Sequence, residues 1–223
     1  MARTGYFMKC LNCGLENTFT INLELEDMTI CKCCGYGRPS MQTPIQYDEN
    51  YEKKYLAYPE AAINKIRLHF ILKKGTILDY GCGSGSFVKA ARKAGYTAYG
   101  YDINDFTADL RPPEGLRPDI ITAWDSFEHL TDEQQIDFFK IAESAKLIVL
   151  SVPDFDTPKK DESLEKWRHY RPKEHLHYYT LEALYFRFRR EGFIFYLSSH
   201  AEDEVRKAPW KNNILTAVFK KYE

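Results

Sequence analysis

Two periods of apolar spacing alternate along this chain. Thr18-Phe19-Thr20-Ile21-Asn22-Leu23-Glu24-Leu25 switches side at every residue, as a strand does. Tyr47, Tyr51 and Tyr55 recur every four residues, with Leu56, which predicts one aromatic stripe on a helix. That stripe either packs on a sheet or closes over a ligand. Pro59 opens a second helix, with Ile63, Ile66, Phe70 and Ile71 on one face. Lys73-Lys74-Gly75 ends it with cations and a glycine stop. Ile77-Leu78-Asp79 then predicts a strand, Phe87, Val88 and Ala91 the inner face of a helix, and Thr97 to Asp102 a second strand. Pro39 to Gln46 reads as a linker.

Between the first of these strands and its helix lies Asp79-Tyr80-Gly81-Cys82-Gly83-Ser84-Gly85. An acid ends the apolar run, and glycines follow at alternate positions. Residues without a Cβ let backbone approach a ligand closely or take positive φ cheaply. The next helix turns its free N–H groups toward the same place. This is the binding turn of a doubly wound α/β sheet. Asp102 ends the second strand 17 residues beyond Gly85, where an acid reaches the ribose hydroxyls of a nucleoside cofactor.

Composition narrows the picture. The 223 residues suffice for one α/β domain with a small appendage, and a net charge of −1 calls for neither nucleic acid nor an anionic membrane. No apolar run reaches the length of a membrane span, and Met1 to Lys9 carries no secretory apolar core, so a cytoplasmic location is expected. Five of the six cysteines precede residue 35, and the sixth is Cys82.

That clustering points to a metal. Cys10-Leu11-Asn12-Cys13-Gly14 and Cys31-Lys32-Cys33-Cys34-Gly35 repeat one C-x-x-C-G knuckle. Two such turns supply four thiolates to a tetrahedral zinc, which predicts a structural zinc ribbon held by Cys10, Cys13, Cys31 and Cys34. Symmetry favours Cys31 over Cys33; a redox pair or surplus thiols are the alternative. The expected organisation is a ribbon over residues 1–40, a linker with lead-in helices over 41–74, and the larger domain over 75–223.

The acid-led G-x-G-x-G turn followed by Asp102 resembles the class I S-adenosylmethionine-dependent methyltransferases. A nicotinamide enzyme would show G-x-G-x-x-G instead. Asp119 to Leu130 looks like that family's fourth strand with its D-x-x-E-H-L ending, and Ala145 to Pro153 like its fifth. Glu174-His175-Leu176-His177-Tyr178, the helix bearing Leu181, Leu184, Tyr185 and Phe188, and the hairpin of residues 193–198 and 214–220 look like its closing elements. The resemblance covers residues 47–223 and implies a Rossmann-like, seven-stranded sheet. With the ribbon, the chain is similar to the methyltransferase type 23 and deoxysugar C-methyltransferase group, whose members are usually longer.

By this resemblance Gly81, Gly83 and Gly85 surround the methionine portion and ribose of S-adenosylmethionine. Asp79 binds its amino group, Asp102 its ribose hydroxyls, and Ile103 and Trp124 complete the cofactor site. Asp109-Leu110 stands near the adenine. Asp125 faces the acceptor or caps a turn. Glu128-His129 reads as a helix-start pair. His175 and His177, on one side of an extended segment, are the candidates for a general base or for positioning the acceptor; the alternative is a structural histidine bonded to backbone. Only 16 residues separate Asp102 from Asp119, so a reduced or missing third helix is expected. Trp167 to Lys173 interleaves basic and aromatic residues that could hold a sugar or nucleotide.

The expected acceptor is a small molecule: a sugar, a nucleotide sugar or a related metabolite. A nucleic-acid acceptor is the second reading, weakened because Asp125-Ser126-Phe127 lacks the prolines of an amine-methylating turn and Pro153 precedes Asp154, not a cysteine. A non-catalytic binding protein is the third.

Overall fold

The computed structural model describes residues 9–40, 59–103, 108–157, 164–206 and 213–222. The predicted tyrosine stripe at 47–56 lies outside them. The ribbon forms a three-stranded antiparallel sheet: β1 (Thr18–Ile21), β2 (Met28–Cys31) and β3 (Gly37–Pro39). The larger sheet takes β4 (Thr76–Tyr80), β5 (Thr97–Tyr101), β6 (Ile120–Trp124), β7 (Leu147–Pro153), β8 (Phe193–Ser199) and β9 (Ile214–Lys221) in the order β5-β4-β6-β7-β9-β8. The first four are parallel, and β9 runs antiparallel between β7 and β8.

This sheet has six strands where seven were expected. The chain between β5 and β6 holds a 3-10 turn, Ala108–Leu110, and no strand among its described residues. The reason is length: a parallel strand needs a crossover of a dozen or more residues before it and another after it. The buried Leu110 lies in the same apolar cluster as Ile77 and Ala98. The reduced third helix was expected on the same count of residues.

Burial explains which residues form which strand. In β6 and β7 successive side chains enter opposite cores, because a strand alternates faces. Ile120, Trp124, Leu147 and Val149 join Phe87, Val88 and Ala91 on one side. Ile121, Ala123, Ile148 and Leu150 join Phe138, Leu184 and Phe188 on the other. Strands covered on both faces read as the unbroken apolar runs seen in the sequence. The covering helices are α1 (Glu60–His69) and α2 (Ser86–Lys93) on the first side, with α3 (Asp132–Ala142) and α4 (Leu181–Arg190) on the second. A short helix, α5 (Glu202–Arg206), precedes β9. Thr131 and Gln134 close a capping box at the start of α3, satisfying two otherwise orphaned N–H groups.

The ribbon is docked by hydrogen bonds and apolar contact. Gly37 and Tyr178 exchange backbone bonds of 2.9 Å each way. Thr180 Oγ1 donates to the Cys34 carbonyl at 2.6 Å, and Arg38 grips Asp132 through both terminal guanidinium nitrogens. Met28 and Ile30 pack with Phe155, Trp167, Tyr170 and Tyr178. A Cβ on Gly37 would lie 2.6 Å from the Phe155 ring, so only glycine lets β3 approach this closely. Trp167 and Tyr170, read above as candidate ligand-binding aromatics, are buried in this seam, with the Tyr170 hydroxyl donating to the Glu26 carbonyl. Among the described residues no helix is long and apolar enough to cross a membrane.

Candidate functional site

From β4 the chain goes out to β5 on one side and returns through β6 on the other. Ligands bind outside the carboxyl ends of strands at such a reversal. The glycine turn stands there. Gly81 has φ +76°, and a Cβ on it would come 2.5 Å from that of Ser126, so the position admits only glycine. The Gly81 and Cys82 N–H groups donate to the Tyr101 carbonyl, locking the turn to the end of β5. Asp102 accepts from the Gly83 N–H at 2.9 Å. Among the described residues nothing comes within 4 Å of a Cβ built on Gly83, and the neighbouring Ile103 is 70% exposed, an apolar side chain beside an acid.

Asp79 is buried and accepts a 2.6 Å bond from Thr122 Oγ1. Burial pushes its carboxyl up to about 7; the Thr122 bond and the charge of Arg67 pull against this, and Asp102 adds to it. A positive group placed beside Asp79 would supply the charge that burial withholds. These residues fit a nucleoside carrying an amino-acid end: an acid for the ammonium, an acid for the diol, and an apolar face for the base.

Trp124 packs in the core beside Phe87, at 5.1 Å between centroids, under the Arg67 guanidinium at 4.8 Å. Its indole N–H has no partner among the described residues. Asp125 follows with φ +51°, the one non-glycine residue at positive φ among those described. Its carboxylate accepts from Arg67 at 2.7 Å and from Arg206 at 2.5 Å. Both arginines also hold Glu202, which is fully buried. Burial alone would push the Asp125 carboxyl up, but Arg206 and then Arg67 hold it well below the usual carboxylate range. It stays ionised at neutral pH and takes up no proton there. Arg67, Glu202 and Arg206 escaped the sequence reading. One sign was available: Arg67 sits four residues after Ile63 and four before Ile71, a cation inside an apolar stripe.

The two candidate histidines part company. The chain bends at Leu176, so they do not share one side of an extended segment. His177 Nε2 bonds to the Leu130 carbonyl at 2.8 Å, and Nδ1 meets the Tyr36 hydroxyl at 2.5 Å. A carbonyl only accepts, so Nε2 carries the proton and Nδ1 accepts from tyrosine. Burial holds this ring neutral, with its pKa down to about 4. His175 gives Nδ1–H to the His169 carbonyl at 2.8 Å, and its ring lies edge-on to His129 at 4.8 Å between centroids. His129 gives Nδ1–H to the Glu174 carbonyl, and its Nε2 lies 3.8 Å from Glu128 Oε1.

Cys10, Cys13, Cys31 and Cys34 bring their sulfurs within 4.8 Å of one another, with Cys10–Cys34 and Cys13–Cys31 each at 3.6 Å. Cys33 is not in the cluster. Four convergent thiols in two knuckles fit a closed tetrahedral site.

Comparison with known proteins follows the same lines. A "SAM dependent methyltransferase" from Archaeoglobus fulgidus superposes with a TM-score of 0.56 at 18% identity, over 79% of this chain and 100% of that one. The 1,6-didemethyltoxoflavin-N1-methyltransferase of Burkholderia thailandensis gives 0.55 at 12% identity, over 93% of this chain and 100% of that one. The magnesium protoporphyrin IX methyltransferase of Synechocystis gives 0.52 at 14%, over 79% and 89%. No curated relative matches the sequence. The family model described as "Methyltransferase domain" matches residues 47–195, two thirds of the chain. The chain therefore belongs to that methyltransferase family, on the fold of the S-adenosylmethionine-dependent enzymes.

Proposed function

We propose that this protein moves a methyl group from S-adenosylmethionine to a small-molecule acceptor, a sugar or nucleotide sugar, by in-line displacement. The observation that carries the reading is the turn itself: Gly81 to Gly85 at the sheet reversal, with the Asp102 carboxylate braced on the Gly83 N–H. When bound, the donor supplies a methyl group activated by its sulfonium charge. Gly81, Gly83 and Gly85 line its methionine and ribose portions, Asp79 faces its ammonium, Asp102 its ribose diol, and Ile103 its adenine. The leaving thioether needs no protonation. The protein's work is alignment at near-attack distance and exclusion of water. Asp125, fixed by two arginines, contributes a rigid negative charge to the acceptor side, and His175 with His129 forms its wall. His177 belongs to the seam with the ribbon. The small-molecule acceptor is supported by structural neighbours whose names carry a toxoflavin precursor and a magnesium porphyrin.

The ribbon over residues 1–40 holds a structural zinc at its four clustered cysteines, the lead-in segment spans 41–74, and the catalytic domain 75–223. Six cysteines outside any disulfide suit a reducing cytoplasm. The test is calorimetric titration of zinc-loaded protein with S-adenosylmethionine. Micromolar-range binding, weakened at least tenfold by Asp102→Ala, is expected. No binding to folded wild-type protein removes the reading.

A further inference from the structure

The turn Phe127–His129 ends against the segment around His175, and three groups converge there. Glu128, His129 and His175 each bring one ligand atom to within 4.8 Å of the others. We propose that these three residues hold a divalent transition-metal ion, through one carboxylate and two imidazole nitrogens, with open positions facing the acceptor. The site is distinct from the four-thiol cluster of the ribbon.

Three observations carry the proposal. The first is an unmet valence. Glu128 is 2% exposed, and its Oε2 is buried without a hydrogen-bond partner among the described residues. A buried carboxylate oxygen left unpaired is costly, and the nearby guanidinium groups of Arg67 and Arg206 are committed to Asp125 and Glu202. The second is ring orientation. Both histidines donate Nδ1–H to a backbone carbonyl, at 2.8 Å in each case, so each neutral ring carries its lone pair on Nε2. This is the outer hydrogen-bonding arrangement that fixes the tautomer of metal-ligating imidazoles. The third is rigidity. The Glu128 carbonyl accepts from the N–H groups of Leu176 and His177 at 2.9 and 3.1 Å, clamping the two segments that supply the ligands.

Donor type selects the metal. Two imidazoles and a carboxylate suit zinc, iron(II), manganese or cobalt better than magnesium or calcium. Two ligands each about 2.1 Å from an ion lie no more than about 4.2 Å apart, so the cluster draws in by roughly half an ångström on loading. Three protein ligands with vacant positions mark a catalytic site; structural sites close the shell. Resting on the methyltransferase reading, the ion would take an acceptor hydroxyl, lower its pKa and orient its lone pair toward the methyl group. The acceptor oxygen gains the methyl, its proton passes to solvent, and the carbon–sulfur bonding pair stays on sulfur. The acceptor class is thereby narrowed to a hydroxyl compound, and His175 serves as a ligand in place of a base.

The test counts metal in protein prepared without chelator and dialysed in separate batches against zinc, manganese(II) and cobalt(II). Wild-type protein is expected to hold two equivalents in at least one batch. In the cobalt batch, one gives the thiolate-to-cobalt charge-transfer band of the ribbon, and the other gives ligand-field absorption without it. His175→Ala and the isosteric Glu128→Gln are each expected to lower the count to one, with the ribbon band and circular dichroism unchanged. A wild-type count of one or fewer in every batch, or two equivalents retained in both variants, overturns the site. Calorimetry with S-adenosylmethionine on the same samples separates the two readings. Donor binding without a second metal sinks this proposal alone, whereas a second metal without donor binding sinks the methyltransferase reading alone.

Discussion

His177 lies in the seam between ribbon and domain with both ring nitrogens bonded, to Tyr36 and to Leu130, and its ring stacked on Tyr179. His175, two residues earlier, spends Nδ1 on a carbonyl and turns its ring toward His129 and Glu128. Residue type, burial and position in the chain are nearly the same. What differs is how much hydrogen-bonding capacity the fold has already consumed. A polar group whose valences are all met by protein contributes to stability, and one with a valence left over contributes to binding or chemistry. A related contrast sets Asp125, held by Arg67 and Arg206, against Asp79, which takes one side-chain bond, from Thr122.

The division can be broken by experiment. The largest effect belongs to the cage. Arg67→Ala leaves Asp125 and the fully buried Glu202 short of a cation, and a loss of about 3–5 kcal/mol in urea unfolding is expected. A change below about 1 kcal/mol would show the cage to be ornamental. His177→Ala comes next: it strands the Tyr36 hydroxyl and the Leu130 carbonyl, for a loss of about 2–3 kcal/mol by the same measurement. His175→Ala is expected to cost visibly less stability while abolishing methyl transfer, and equal losses from the two histidines would erase the comparison. Asp102→Ala is expected to cost at least tenfold in donor affinity by calorimetry, about 1.4 kcal/mol.

One effect is read as a slope. Burial raises the Asp79 carboxyl to about 7, whereas the unfolded chain releases that proton near pH 4. Between those values the folded form binds more protons than the unfolded one, so this group makes the ligand-free protein less stable as pH rises, and the effect is complete above about pH 7. An ammonium beside Asp79 favours the charged form. Donor affinity should therefore climb with pH toward neutrality, by less than tenfold per pH unit, and Asp79→Asn should flatten the climb. A wild-type affinity independent of pH between 5 and 7 would remove Asp79 from the ammonium site.

What the sequence discloses follows the range of the interactions. The glycine turn, the acids at the ends of β4 and β5, the knuckles and the closing hairpin are local patterns, set by backbone geometry and alternation, and they stand where the residues suggest. The missing strand after β5 was half legible: the short span removed the third helix, and the strand went with it. The cage was hidden because Arg67 meets partners 58 and 135 residues away. Glu128 was hidden differently. An acid before a histidine at a helix start looks like a cap, and only burial without a partner reveals a vacancy. The separation of His175 from His177 depends on a bend at Leu176, which two-residue spacing cannot show.

The seam of the ribbon also sets an order of assembly. Cys10 and Cys34 lie 24 residues apart, so the knuckles can close as soon as they leave the ribosome. Their dock cannot, because Tyr36 waits for His177 across 141 residues and Cys34 for Thr180 across 146. Loop closure on that scale is slow and comes late, after most of the sheet has been made. Until then Met28 and Ile30 of β2 lack the aromatic side chains that cover them in the seam. Expression yield should thus track the supply of nearly complete chains more closely than the supply of zinc.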